Sequence, residues 1–178
     1  VDLHVMDAVA PDFRSAYFDS VVCSYALFFL PDMQAALKEW KRVLKPGGGL
    51  MFTSFGAAAF RPMIDLFMAR FERQCAGADS VAAARLNDPG TCREQLAAAG
   101  LTDIDVVTEP LGYHLKDAAD WWEVAYNSGL CGRLERLPPD ARSSFQREHR
   151  EEVSRLVSDQ GLWLNVETIF SFGRKPRR

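Results

Sequence analysis

Apolar positions recur along this chain in rhythms that predict its elements. Met33, Ala36, Leu37, Trp40, Val43 and Leu44 fall on one face at helical spacing, so residues 33–44 read as an amphipathic helix. Asp32 stands where a side chain can cap its first turn. Lys41, Arg42 and Lys45 suit the negative end of its dipole, and Pro46-Gly47-Gly48-Gly49 stops it. On either side lie two short apolar runs, Phe18–Cys23 and Leu50–Ser54, with the pattern of strands buried on both faces. Strand, helix, glycine turn and strand in so short a stretch is a βαβ unit, whose strands pair in parallel as neighbours.

The rest of the chain continues in the same manner. Leu3–Met6 reads as a short strand ending at Asp7. Arg61–Cys75 reads as a helix, and Thr91-Cys92-Arg93-Glu94 offers a capping box for a helix that Gly100 ends. Ile104 and Val106 mark a strand, and helices follow over 117–127 and 139–158, closed by Gly129 and Gly161. Leu164, Val166, Thr168, Phe170 and Phe172 then alternate with polar residues, the signature of one half-exposed, antiparallel-type final strand. The class is α/β.

Bulk properties narrow the partners. With 178 residues, 48% hydrophobic and 25% charged, the chain has the size and composition of one globular domain. A net charge of −3 gives no basic field for nucleic acid or an anionic membrane surface, and no apolar run is long enough to span a bilayer. The basic end Arg174-Lys175-Pro176-Arg177-Arg178 reads as a solvated tail. Cys23, Cys75, Cys92 and Cys131 lie far apart, without the spacing of a metal site, and read as reduced thiols of a cytoplasmic protein. No metal is expected.

In open α/β sheets, ligands bind outside the carboxyl ends of parallel strands. Two such ends are visible, Met6-Asp7-Ala8 and Cys23-Ser24-Tyr25-Ala26-Leu27. An Asp placed there can accept from an exocyclic amine while the next backbone N–H donates to a ring nitrogen, which together read an adenine. The competing reading of Asp7 is a turn former or helix cap. The turn after Cys23 is unusually apolar for a surface loop, as a ring-covering wall would be.

Taken together, Val5-Met6-Asp7-Ala8, Phe18–Cys23, Leu30-Pro31-Asp32, Glu39, "RVLKPGG" (42–48) and Leu50–Ser54 resemble the class I S-adenosylmethionine-dependent methyltransferases. The nearest group is the small-molecule one that includes the ubiquinone/menaquinone-biosynthesis enzymes (methyltransferase type 11). "AAAGLTDIDV" (97–106) and "FSFGRKP" (170–176) are similar to that family's sixth and seventh strands. The resemblance implies a Rossmann-like sheet, mostly parallel with an antiparallel final strand, in the family order 3-2-1-4-5-7-6. Strands three to seven would be present and strands one and two absent. It also implies one domain over 1–178: cofactor-side strands in 1–56, a lid-like helical segment in 57–90, and the sixth and seventh strands with their helices in 91–178.

The implied cofactor is S-adenosyl-L-methionine. Asp7 would accept from the adenine amine and Ala8 donate to the ring, Ser24 and Tyr25 would line the cleft, and Leu27 and Phe29 would close it near the methyl group. Arg42 and the Lys45–Gly48 turn would be structural. The family's D/E-x-G-x-G loop, which holds the methionine part of the cofactor, has no counterpart in these residues. The chain is therefore expected to be the C-terminal two-thirds of a methyltransferase that is not competent alone. The alternative is a non-catalytic, methyltransferase-like subunit whose sheet a partner chain completes. A nicotinamide-dependent oxidoreductase would need G-x-G-x-x-G after a strand, which is missing.

Methyl transfer from a sulfonium rests on alignment more than on proton transfer, so no catalytic residue is assigned. Tyr113 and His114 follow the sixth strand and are acceptor-side candidates. Phe60 and Arg61 belong to the lid-like segment, and Trp122 to a helix that either packs or lines a pocket. His4 and His149 read as structural. The expected partner is a small-molecule methyl acceptor, neither nucleic acid nor membrane, and a homodimer is left open.

Overall fold

The computed structural model describes residues 1–75 and 82–177. It divides into two compact units, Val1–Ala57 with Ala83–Glu109 and Thr168–Arg178, and Ala58–Ala82 with Pro110–Glu167. Residues 76–81 of the predicted lid-like segment, and Arg178, lie outside the described residues. No helix among the described residues is long and apolar enough to cross a membrane.

The first unit is built on a four-stranded sheet. Its strands are β1 (Phe18–Ser24), β2 (Leu44–Phe55), β3 (Thr102–Glu109) and β6 (Thr168–Arg174), in the order β1-β2-β6-β3. β1 and β2 are parallel, and β6 runs antiparallel to both β2 and β3. Three strands therefore point one way and the last is reversed. This is the expected arrangement of the family's strands four, five, seven and six. The crossover from β1 to β2 is α1 (Met33–Val43), and α3 (Pro89–Ala98) precedes β3.

α1 forms where the periodicity placed it. Asp32 accepts from the Ala35 N–H at 2.9 Å, and Ala36, Leu37, Trp40 and Val43 are buried. Full burial of side chains of this size contributes about 1.5–3 kcal/mol each, more than helix propensity supplies over the whole segment. Together with Leu50, Phe52, Leu96 and Ile169 they make this unit's core. Across the sheet, Val22, Met51 and Phe172 stand side by side in register, and Val22 is 63% exposed.

Four expectations are corrected. Leu3–Met6 is not a strand: Leu3 and Val5 are fully exposed, and no strand among the described residues supplies the backbone partners an isolated strand needs. The N-cap of α3 lies three residues before the predicted one, at Asp88 and not Thr91. Asp88 caps it through the Thr91 N–H at 2.7 Å, and Pro89 in the first turn has its φ preset for a helix. The final strand is two. Asn165 Oδ1 takes the Glu167 N–H at 2.8 Å and turns the chain, so β5 (Leu162–Asn165) ends before β6 begins. Nor is the basic tail simply solvated. Lys175 exchanges backbone hydrogen bonds with Gly47 and Gly48, while its Nζ donates to Arg42 O and Leu44 O at 3.2 and 2.7 Å. A cation thus sits on the carbonyl end of α1, where the dipole favours it.

The second unit holds α2 (Met63–Gln74), α4 (Ala118–Tyr126), α5 (Cys131–Leu134) and α6 (Pro139–Ser154). A small antiparallel sheet of β4 (Gly112–Leu115) and β5 joins them. Met63, Phe67, Phe71, Trp121, Trp122, Phe145, Leu162 and Leu164 form its core. Arg70 of α2 pairs with both Glu148 and Glu152, one turn apart on α6, which pins the two helices at a fixed register.

Candidate functional site

The pairing of β1 with β2 ends at Ser24 and Thr53, and these two residues bring hydroxyl groups into one cluster. Ser24 and Thr53 are register partners with Oγ and Oγ1 3.4 Å apart. Tyr25, the next residue, has a φ of +50°, a region that residues with a Cβ enter at a cost of about 1 kcal/mol or more. Its N–H meets Thr53 O at 3.2 Å and Thr53 Oγ1 at 3.1 Å. Its ring stacks on Phe55, with centroids 4.4 Å apart and planes 22° from parallel, and its hydroxyl lies 2.7 Å from Thr168 Oγ1. Strained backbone held by this many contacts at the carboxyl end of parallel strands is the kind of feature that marks a binding turn.

Beyond Tyr25 the chain makes a 3₁₀ turn over Leu27–Phe29. Leu27 and Phe28 are sealed in the core, whereas Phe29 is 58% exposed. Leu27 therefore supports the turn from beneath, and Phe29 is the side chain it presents outward. Burial raises the Cys23 thiol above its usual pKa, an effect the Ala26 and Leu27 backbone hydrogen bonds partly offset. That keeps the sulfur a neutral, weakly polar filler.

Asp7 and Ala8 are held separately. Asp7 Oδ1 accepts from the Val9 N–H at 2.9 Å, closing a local turn, so the turn-forming role weighed for it is realised. Ala8 O accepts from Trp40 Nε1 at 2.7 Å, which anchors the segment on α1. Arg42 fastens the following residues, donating to Phe13 O at 2.8 Å and Pro11 O at 3.2 Å while pairing with Glu39. The Asp7 carboxylate itself stays exposed.

The remaining candidates lie in the second unit. Phe60 is half-buried with a φ of +65°, its N–H bonded to Asn165 O at 2.8 Å. Arg61 is exposed and 3.6 Å from Asp65. Tyr113 and His114 are on β4; Tyr113 is 52% exposed, and His114 meets Trp163 edge-on at 4.9 Å. Trp122 is buried among Phe145 and His149. Residue patterns did not single out Thr168 or Phe55. The available signal was their place at strand ends, since a threonine opening a largely apolar strand is a polar group in need of a partner.

A family model described as a methyltransferase domain matches residues 1–52. Aklanonic acid methyltransferase DauC of Streptomyces sp. is 44% identical over 62 residues, covering 34% of this chain and 28% of that enzyme. The ubiquinone/menaquinone biosynthesis C-methyltransferase UbiE of Haemophilus ducreyi is 42% identical over 55 residues, covering 31% of this chain and 21% of that enzyme. The matched segments are thus well under half the length of these curated relatives. Among solved structures, a Bacillus halodurans protein described as a candidate methyltransferase superposes with a TM-score of 0.53 at 20% identity, over 96% of this chain and 70% of that one. At that identity the superposition speaks for the fold alone. Over residues 1–52 the chain is thus similar to a methyltransferase domain, and its fold is that of the Rossmann-like methyltransferase structure it superposes on.

Proposed function

We propose that the chain supplies the β1–β2 wall of an S-adenosylmethionine site and works in the transfer of a methyl group to a small molecule. The observation that carries this reading is the extent of the family match: residues 1–52 include every residue proposed for the cofactor side. The donors and acceptors present suit the adenosine half. Asp7 offers an exposed carboxylate with lone pairs beyond the one given to Val9, fit to accept from an adenine amine. Ala8 would donate its backbone N–H to the ring. Ser24 and the strained Tyr25 turn would line the cleft, with Leu27 packed behind. Bound there, the cofactor would supply a methyl group already activated on a sulfonium. The protein's part would be to hold the acceptor in line with it and keep water out.

The acceptor-side candidates are taken within each unit by itself: Phe29 in the first, and Phe60, Arg61, Tyr113 and His114 in the second. Trp122, being buried, would support the second group rather than touch a ligand. Their aromatic character suits a medium-sized, fairly apolar acceptor. A cytoplasmic location belongs to the same proposal, with reduced thiols as its reason.

The test is calorimetric titration with S-adenosylmethionine, on the 178-residue chain and on the same chain extended by any residues encoded ahead of Val1. We expect weak or no binding by the chain alone. The extended protein should bind at micromolar affinity and lose about tenfold or more in Asp7→Ala, as removal of one good polar contact does. Micromolar binding by the 178 residues alone would sink the expectation of incompetence, and an extended protein indifferent to the cofactor would sink the function. The open edge of β1 favours a second reading, in which a partner chain completes the sheet. Methyl transfer that appears only when a co-purifying chain is added back distinguishes it.

A further inference from the structure

The apolar turn after β1 leaves its outward carbonyls without partners of its own. Within it, the Phe29 N–H bonds to Ala26 O at 3.0 Å and the Leu30 N–H to Leu27 O at 3.1 Å. The carbonyls of Phe28, Leu30 and Pro31 all turn to one side chain, Arg85. Its NH1 donates to Phe28 O at 3.0 Å and Leu30 O at 2.7 Å, and its NH2 to Pro31 O at 3.1 Å. A planar, permanently charged fork with several fixed donors matches three converging carbonyls in a way no other side chain does.

Arg85 is itself held from the other strand end of the site. It sits in a 3₁₀ turn, Ala82–Leu86, whose last residue is fully buried. Leu86 O accepts from Ser54 Oγ at 2.7 Å, and Ser54 belongs to β2, one residue past Thr53. The chain of contacts therefore runs from the end of β2 through Leu86 and Arg85 to the turn that leaves β1.

We infer that Arg85 is a positioning residue for the site wall: its guanidinium fixes the 28–31 turn, and with it the outward placement of Phe29, relative to the end of β2. The inference rests on the reading above that this turn is a wall of the cofactor site, and its consequence is a reaction-side one. Without the fork, the Ser24–Phe29 wall samples other conformations, and a ligand that needs it must first select the competent one.

The test compares Arg85→Met, which keeps the aliphatic stem, with Arg85→Lys, which keeps the charge but not the fork. In the 178-residue protein, hydrogen exchange at the Phe29 and Leu30 amides should quicken by about tenfold or more in R85M, while the Leu50–Phe52 amides of β2 stay as in the parent. R85K should fall between the two. Exchange at Phe29 and Leu30 unchanged in R85M overturns the inference, as does acceleration spread equally over β2, which would mean general destabilisation. In the protein that binds S-adenosylmethionine, R85M should weaken binding by about tenfold, and an unaltered affinity overturns the positioning role. The exchange measurement needs no cofactor, so a failed titration with the parent protein counts against the proposed function and not against Arg85.

Discussion

The Tyr25 hydroxyl and Thr168 Oγ1 lie 2.7 Å apart, joining the first turn after β1 to the first residue of β6 across most of the chain. This bond and the Phe55 stack hold Tyr25 in a conformation that its own backbone disfavours. Tyr25→Phe keeps the ring and loses only the hydroxyl, so a destabilisation of about 1 kcal/mol is expected. Tyr25→Ala also loses the stack and should cost roughly 2–4 kcal/mol. Urea unfolding midpoints measure both. A Tyr25→Phe midpoint equal to that of the parent would show that the hydroxyl contact does not secure the turn.

His149 predicts an acid sensitivity. It is fully buried, its Nε2 accepts from Trp121 Nε1 at 2.9 Å, and its Nδ1 has no hydrogen-bond partner among the described residues. Burial lowers its pKa from 6.5 to about 4; Glu152 acts against the shift and Arg70 with it. A histidine whose folded pKa is depressed binds fewer protons folded than unfolded between those two values. Its contribution is therefore complete above pH 6.5 and lost as pH falls towards 4. The full loss is roughly 3 kcal/mol. Unfolding free energies measured from pH 7 to 4 should decline accordingly, and His149→Phe should flatten that slope while lowering stability at pH 7. An unaltered slope in His149→Phe places the acid sensitivity elsewhere.

The parts of this fold legible in the sequence are those whose signals were local. Met33–Val43 carries its own periodicity, cap and stop, so both its limits and its buried face follow from spacing. The strand order follows from family resemblance, since no local pattern reveals that β6 inserts between β2 and β3. Leu3–Met6 alternates as a strand should, but a strand is a pairing, and its partner is not a property of four residues. The alternation from Leu164 to Phe172 hid a break, because an Asn side chain can end one strand in mid-rhythm. At the site, Ser24 and Tyr25 were marked by position, whereas Thr168 and Arg85 act through contacts spanning 143 and 54–57 residues. Such partners are invisible to spacing.

The two edges of the larger sheet differ in a way that predicts self-association. β3 carries Asp103, Asp105 and Glu109 along its exposed edge, charges that resist pairing with another strand. β1, at the opposite edge, has Asp19 near its start and then Val21, Val22 and Cys23. Val22→Lys should reduce association of the 178-residue chain in sedimentation velocity at rising concentration. Its unfolding midpoint should stay within about 0.5 kcal/mol of the parent, because an exposed side chain is replaced. Unchanged association would place the sticky surface elsewhere than on this strand.

Gly48 tests whether the glycine turn is structural. A Cβ there would lie 2.9 Å from Asp19 O and 2.9 Å from Lys45 O, both backbone atoms that cannot swing aside. The turn is where β2 skips past β1, since Phe18 pairs with Leu44 but Ser20 with Gly49. It is also where Lys175 closes its backbone bonds with Gly47 and Gly48. Gly48→Ala must move one strand against the other, at a cost of about 1–3 kcal/mol. Gly132→Ala is the control: none of the described residues lies within 4 Å of its added methyl, and it sits in helix α5, so it should be neutral or stabilise by up to about 1 kcal/mol. Thermal or urea unfolding of the two variants measures the difference. A Gly48→Ala protein as stable as Gly132→Ala would mean that the glycine is kept for something other than the close approach of Asp19 and Lys45.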